Sequence, residues 1–402
     1  MKKAILGFLF ILMLLIPAVL PAADFGIILN QNATLGNFTG QEDHFEYRAD
    51  IIPRFSTLFG DNGRLTVSAG LTIGVNNNDF TFIPEILHTE YLNQFDVLGG
   101  LWLRAGRIPY SDPLGFIAEG LFDGVRVSHA SPLGRFGFGL WYTGLLYKKN
   151  INIEMTNEDR GNNDIINTYF ASRRLLTAID YEHPSILETF RLRASLMAQF
   201  DLNGKEEKFN SQYLSIKASL PMERFLFEAG GIFQTAQIQN SLGSAFTLAF
   251  AGDLGISWHL PTQNNSRLAF NCLIAGGQSS ELMGAFIPIT SKQQGRLFQP
   301  ILSALTVLKL NYSARLSESM GTSITASYFI RNDLFTFNNY NIDTKDSGWY
   351  IGPELFARLV WNPASDLQFN LGAGIFAPAL GDAAPDSDFQ WRIDLTVVFS
   401  IY

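Results

Sequence analysis

The run from Phe190 to Leu202 alternates without a break. Phe190, Leu192, Ala194, Leu196, Ala198, Phe200 and Leu202 share one face, while Arg191, Arg193, Ser195, Met197, Gln199 and Asp201 share the other. A period of two is that of a β-strand, and the run is long enough to cross a bilayer at a tilt, which takes about 9–11 residues. The scheme recurs in Ser244–Leu260, with Phe246, Leu248, Phe250, Leu254, Ile256 and Trp258 opposed to Thr247, Asp253, Ser257 and His259. It recurs again at the carboxyl end, with Phe389, Trp391, Ile393, Leu395, Val397, Phe399 and Ile401 opposed to Gln390, Arg392, Asp394, Thr396 and Ser400. A polar interior behind an apolar exterior is inverted for a protein in water. The pattern predicts an all-β chain, a transmembrane antiparallel β-barrel.

The amino end carries an address. Lys2 and Lys3 precede an apolar run from Ala4 to Leu20, and Pro21-Ala22-Ala23 follow, the layout of a secretory signal peptide. Residues 1–23 are therefore expected to be removed and 24–402 to form the barrel. No other long apolar run follows, although 47% of the residues are hydrophobic. The apolar residues are spread in alternation, which argues against an inner-membrane helical protein. Cys272 is the only cysteine, so intrachain disulfides and thiolate clusters are excluded, and its phase points it at lipid. A formal charge of −8 argues against general nucleic-acid binding.

Turn chemistry divides the chain. Short connections fall at 59–64, 94–100, 130–135, 182–189, 220–224, 261–266, 317–321 and 362–366, each rich in Gly, Asn, Asp or Pro. Between them lie connections at 36–43, 76–79, 109–120, 148–164, 203–208, 239–243, 277–295, 332–347 and 378–388, several of them longer and more polar. This alternation of tight and long links is that of outer-membrane barrels, whose tight turns are periplasmic. It predicts eighteen strands with both termini in the periplasm. Sixteen is the second choice, because Phe25–Leu35 and Phe80–Leu92 alternate less cleanly. Trp349 and Trp361, of equal parity and on one predicted strand, are expected in the two interfacial girdles, with Trp258 joining the periplasmic one and Trp391 the outer.

Inward parity collects cations. The lumen wall is expected to carry Arg174, Arg191, Arg193, Lys217, Arg267, Arg331, Arg358 and Arg392, with Arg48, Arg64, Arg104, Arg126, Arg224 and Lys309, against Glu46, Asp50, Asp180, Asp201, Glu228, Asp253, Glu354 and Asp394. An excess of about six positive charges would favour anions. The other reading, that these are paired charges that hold the wall together, stays open. The third long connection, within Leu103–Val127, contains Phe116, Ile117, Leu121 and Phe122 and two prolines. Apolar loop residues need a surface to pack on. Folding back into the lumen supplies one and narrows the pore, with Arg104, Arg107, Asp112, Glu119, Asp123 and Arg126 at the constriction. The same argument applies more weakly to Gly284–Thr290.

Ala105-Gly106-Arg107, followed after the loop by Phe122-Asp123-Gly124, resembles a segment of alginate-export-type and related porin-like outer-membrane proteins. The resemblance implies a porin-like channel of similar strand number that passes anionic solutes passively, with Arg107 and Asp123 as the carried-over positions. It does not extend to polysaccharide as the substrate. Such barrels usually finish on an outward aromatic residue. Here Ile401 has the outward phase and Tyr402 falls one step beyond.

The expected function is passive diffusion of small hydrophilic, anionic solutes across a bacterial outer membrane, without a cofactor or a metal. The expected partners are outer-membrane lipid, the barrel assembly machinery and the solutes themselves; the oligomeric state is left open. A surface adhesin or receptor displaying 148–164 and 332–347 is the alternative. Hydrophobic-solute transport is disfavoured by the lack of an amino-terminal hatch segment, and energy-coupled transport by the lack of a plug. The five histidines His44, His88, His129, His183 and His259 show no metal-ligand spacing, and no nucleophile elbow or phosphate-binding glycine loop is present. His129 beside Ser128 is the only local hint of an enzyme.

Overall fold

The computed structural model describes residues 23–38, 44–60, 62–76, 79–95, 100–147, 169–186, 189–204, 207–240, 243–334, 336 and 348–401. The first nine strands are β1 (Ala23–Gly36), β2 (His44–Phe59), β3 (Gly63–Asn76), β4 (Asp79–Phe95), β5 (Leu101–Ser111), β6 (Glu119–Ser131), β7 (Gly134–Tyr142), β8 (Arg174–Ile186) and β9 (Phe190–Asp201). The second nine are β10 (Lys208–Met222), β11 (Phe225–Asn240), β12 (Gly243–His259), β13 (Arg267–Ala275), β14 (Leu305–Arg315), β15 (Met320–Arg331), β16 (Tyr350–Ala364), β17 (Leu367–Phe376) and β18 (Gln390–Ile401). Each pairs antiparallel with its chain neighbours, and β1 pairs with β18 from Ile27↔Ile401 to Gly36↔Arg392. Closure leaves no free sheet edge, which is what a strand structure in lipid requires.

Side-chain exposure follows the alternation. Leu196, Leu214, Phe233 and Leu254, on four successive strands, are exposed, whereas Ser195, Met197, Tyr213 and Gln234 of the opposite phase are buried. Cys272 shares the outward phase of Phe270 and Ile274. The described parts of the eight short connections fall between consecutive strands as expected, and the described parts of the others lie at the opposite end. The signal segment 1–22, the connection 148–164, most of 332–347 and Tyr402 lie outside the described residues.

Irregular alternation has a local cause. On β4 a bulge opposite Ser68/Ala69 adds one residue, so Phe80, Phe82 and Ile86 are exposed outward, yet His88 and Glu90, of the same parity, face inward. Trp258 and Trp361 are exposed beside short connections and Trp349 beside a long one. Trp349, however, precedes β16. A register shift between Phe329 and Ile330 and a positive φ at Gly352 separate it from Trp361, so the equal parity carries no meaning there.

Candidate functional site: the lumen constriction

The apolar core of this barrel lies inside the lumen, where two long connections fold inward. The first is residues 112–118. Asp112 is buried and accepts backbone N–H bonds from Leu114 (3.0 Å), Gly115 (3.1 Å), Ile117 (2.8 Å) and Ala118 (3.0 Å). One carboxylate thus ties the whole turn. Desolvation raises the Asp112 carboxyl above the ordinary aspartate range, and the four amides oppose that rise. Tyr110, at the root of the loop, reaches along the wall, donating to Asp180 of β8 at 3.0 Å and lying 3.4 Å from Ser195 of β9. Leu114 crosses further and sits on bare backbone: a Cβ at Gly230 of β11 would lie 2.7 Å from its Cδ2.

The second inward segment is residues 276–304, longer than 277–295 and no weaker than the first. Ile287 is held by β10 and β11, its carbonyl accepting from Tyr213 (2.8 Å) and Gln234 (2.9 Å) and its amide donating to Gln234 Oε1 (2.9 Å). The chain then spans the lumen to β16. There Glu354 accepts the backbone amides of Arg296 (2.9 Å), Leu297 (2.9 Å) and Phe298 (3.0 Å). Phe298 packs against Phe329 and Phe376 with ring centroids 5.0 and 4.9 Å apart. The two segments meet where the Ile289 and Thr290 amides donate to the Ile117 carbonyl and Thr290 Oγ1 accepts from the Glu119 amide. Phe286, Ile289, Leu297, Phe298, Ile117 and Phe122 are fully buried between loops and wall.

What remains open is edged by charge in pairs. Lys292 of the second segment binds Glu119 at 2.5 Å, both about half exposed. On the uncovered wall, Arg48 pairs with Asp50 (3.0 Å), and Arg104 with Glu90 (2.7 Å), which also holds His88 (2.9 Å). Arg126 pairs with Asp180 (2.9 Å), Lys217 with Glu228 (3.0 Å) and Arg392 with Asp394 (2.7 Å). The paired-charge reading of the wall therefore describes most of these cations.

Five expected site residues and the expected charge excess need correction. Arg107 and Asp123 do meet, at 2.8 Å, but on the face of the β5–β6 hairpin opposite Arg104 and Arg126. Arg107 is 7% exposed and binds the carbonyls of Leu145 and Ile86, so the pair closes a gap where β4 and β5 diverge beyond Thr89↔Arg107. Asp112 shapes the constricting loop without lining the pore. Arg174 is sealed against Asp201 at 2.9 Å, with both side chains at 0% exposure. Arg331 is likewise buried, donating to the Gly348 carbonyl. Neither presents charge to a solute. The expected excess of about six charges also missed Glu90, because the β4 bulge reverses its phase, and Lys292, which lies in a loop and has no phase to read.

Arg104, Glu119 and Arg126 remain near the open lumen, as do Arg191, Arg193, Lys217, Arg267, Arg358 and Arg392 of the wall. Arg267 binds Ser257 (2.6 Å) and Arg358 binds Asn370 (3.0 Å). Among the described residues no group of three metal-ligating side chains converges.

In sequence, no family model and no curated protein matches this chain. In fold it is similar to solved Pseudomonas aeruginosa structures. These include OpdK with vanillate (11% identity, 95% of this chain and 99% of that one, TM-score 0.60) and OccK2 (OpdF) in complex with glucuronate (11%, 95% and 97%, 0.61). The outer membrane protein OprD is a third (11%, 95% and 94%, 0.59). The closed antiparallel barrel of eighteen strands described above is thus a porin-like fold.

Proposed function

We propose that this chain is a passive diffusion channel of a bacterial outer membrane for small hydrophilic solutes, with a preference for anions. The observation that carries the reading is a closed wall with two segments folded into its lumen and edged with partly exposed charged side chains. A barrel of this size encloses water, and selection then falls to lumen side chains and inward loops. Two of the structurally similar proteins were solved with vanillate and with glucuronate, both small carboxylates. The proposal includes export directed by residues 1–23, insertion by the barrel assembly machinery, and a lipid-facing exterior. It also keeps the narrower likeness to alginate-export-type proteins, which rests on Ala105–Arg107 and Phe122–Gly124. These residues lie on paired strands and form the Arg107–Asp123 ion pair.

The test is conductance of the refolded protein in planar bilayers under a potassium chloride gradient. Discrete steps with a reversal potential on the anion side are expected, as is transient blocking by added glucuronate. Folded, heat-modifiable protein that never conducts would refute the channel and favour the adhesin. Reversal toward cations would refute the anion preference alone.

A further inference from the structure

The outward surface of the barrel is not uniformly apolar. On β10 and β11 its three uppermost ladder pairs are polar: Lys208↔Gln239, Asn210↔Gln237 and Gln212↔Thr235. The apolar band begins only at the next outward pair, Leu214↔Phe233, both exposed. The flanking strands carry it higher. Phe200 and Leu202 are exposed at the upper end of β9, and Phe246, opposite Gln237, is exposed on β12. Lys208 to Gln212 is a descent of four residues, about 10 Å at the tilt of a barrel strand. A polar notch of that depth is cut into the outer edge of the apolar band.

Below the notch the same strands form a groove of about 340 Å³ on the outer surface. The short side chains of Thr177 and Ala198 make its floor, and Ile179, Leu196, Leu214 and Phe233, all exposed, make its sides. Gln212 and Thr235 close its upper edge, with Thr235 Oγ1 donating to Gln212 Oε1 at 2.6 Å. The NH2 group of Gln212 and the whole amide of Gln237 have no hydrogen-bond partner among the described residues. Amides at the level of hydrocarbon are costly unless something polar reaches them. Above the notch, Arg173 is exposed just before β8 and Lys208 opens β10, two strands away and about 10 Å across. Neither makes an ion pair among the described residues. Asp201, close by on β9, is sealed against Arg174, and Glu207 adjoins Lys208 in the chain.

We propose that the notch and groove on β8–β11 bind one lipid of the outer leaflet, a phosphorylated glycolipid. Arg173 and Lys208 take the phosphate, Asn210, Gln212 and Gln237 take sugar hydroxyls, and the groove between Leu196 and Phe233 takes an acyl chain. Down the wall the order is cation, amide, apolar groove. That is the order of phosphate, sugar and chain in such a lipid, and basic residues at a membrane surface are what recognise lipid phosphates. A second copy of the chain fits less well, because a two-fold contact on this face would set Arg173 and Lys208 against their own copies. The site rests on the lipid-facing exterior included above and is independent of conduction.

The test is native mass spectrometry of the full refolded chain, released from micelles holding equal amounts of three lipids. These are a phosphorylated, acylated glucosamine disaccharide, phosphatidylglycerol, and an uncharged diglucosyl diglyceride. Heat-modifiable mobility identifies folded barrels. The wild type should retain one copy of the first lipid in preference to the other two. In R173Q/K208Q that retention should fall by about tenfold or more, for two lost cations at a membrane surface. In Q212L/T235V, which makes the notch apolar, the preference over phosphatidylglycerol should shrink. Q31L removes an exposed outward amide from β1, on the opposite side of the barrel, and should change nothing. Equal retention of all three lipids by the wild type would overturn the site, as would a loss in Q31L as large as in R173Q/K208Q. A dimer of the chain in place of bound lipid would assign the groove to a second copy and overturn it too. Folded protein that enters no vesicle made with these lipids would instead refute the lipid-facing exterior.

Discussion

Replacing Asp112 by Ala removes the acceptor of four backbone amides in one seven-residue loop. A hydrogen bond to a charged acceptor contributes about 1.5–3 kcal/mol, and four that share two oxygens do not add, so about 4 kcal/mol for the set is conservative. Against this stands the packing of Leu114 and Ile117, worth about 1.5–3 kcal/mol each when fully buried. The two contributions are of similar size. Losing the first lowers the ratio of seated to released loop by about a thousandfold, at 1.4 kcal/mol for each factor of ten. The wall should survive, because its ladders do not involve Asp112. Asp112→Ala is therefore expected to keep its heat-modifiable mobility while showing larger and noisier conductance steps. Exchange of the amides of Leu114, Gly115, Ile117 and Ala118 should become fast. Asp112→Asn should fall between, since one amide oxygen can still serve Ile117 and Ala118 but its NH2 group opposes the amides of Leu114 and Gly115. If Asp112→Ala conducts quietly at the wild-type level, with those amides still protected, the carboxylate is not what holds the loop.

Other perturbations separate wall from pore. Arg107→Met should leave conductance steps unchanged yet lower the heating midpoint for loss of the folded band. Asp123 is then left without its partner at 20% exposure, and breaking a buried pair costs about 3–5 kcal/mol. A large change in step size would return Arg107 to the constriction. Asp201→Asn should destabilise the barrel by a similar amount, because Arg174 is fully enclosed; a midpoint equal to that of the wild type would show the pair to be dispensable. Phe298→Ala removes a ring stacked on Phe376 and edge-on to Phe329 and should cost the second inward segment about 3–5 kcal/mol, seen as larger, fluctuating steps; unchanged steps would mean that Glu354 alone anchors the segment.

The strand plan was legible in the sequence, because one lipid-facing face and one wet face leave a period of two in every clean strand and tight turns need Gly, Pro, Asn or Asp. The same rule explains where reading failed. Parity transmits a direction only along an unbroken ladder, and the extra residue opposite Ser68/Ala69 inverted the phase between Ile86 and His88. Glu90 was thereby hidden, although it neutralises Arg104. Arg107 escapes for a related reason: its place beside the loop points to the constriction, while its parity differs by one step from that of Arg104, which sends it through the wall toward Leu145. The first inward segment announced itself through Phe116, Ile117, Leu121 and Phe122, apolar residues with no strand period. The second dilutes its apolar residues among Gln293, Gln294, Arg296 and Gln299, and its anchor, Glu354, lies on a distant strand. That long-range pairing decides the electrostatics. Counting inward cations measures the wall only where carboxylates are absent, and an inward arginine carries selection only if its own strand and its neighbours leave it unpaired. On this wall Arg191, opposite Ser219, meets that condition, whereas Arg193, on the same strand, faces Glu182 of β8.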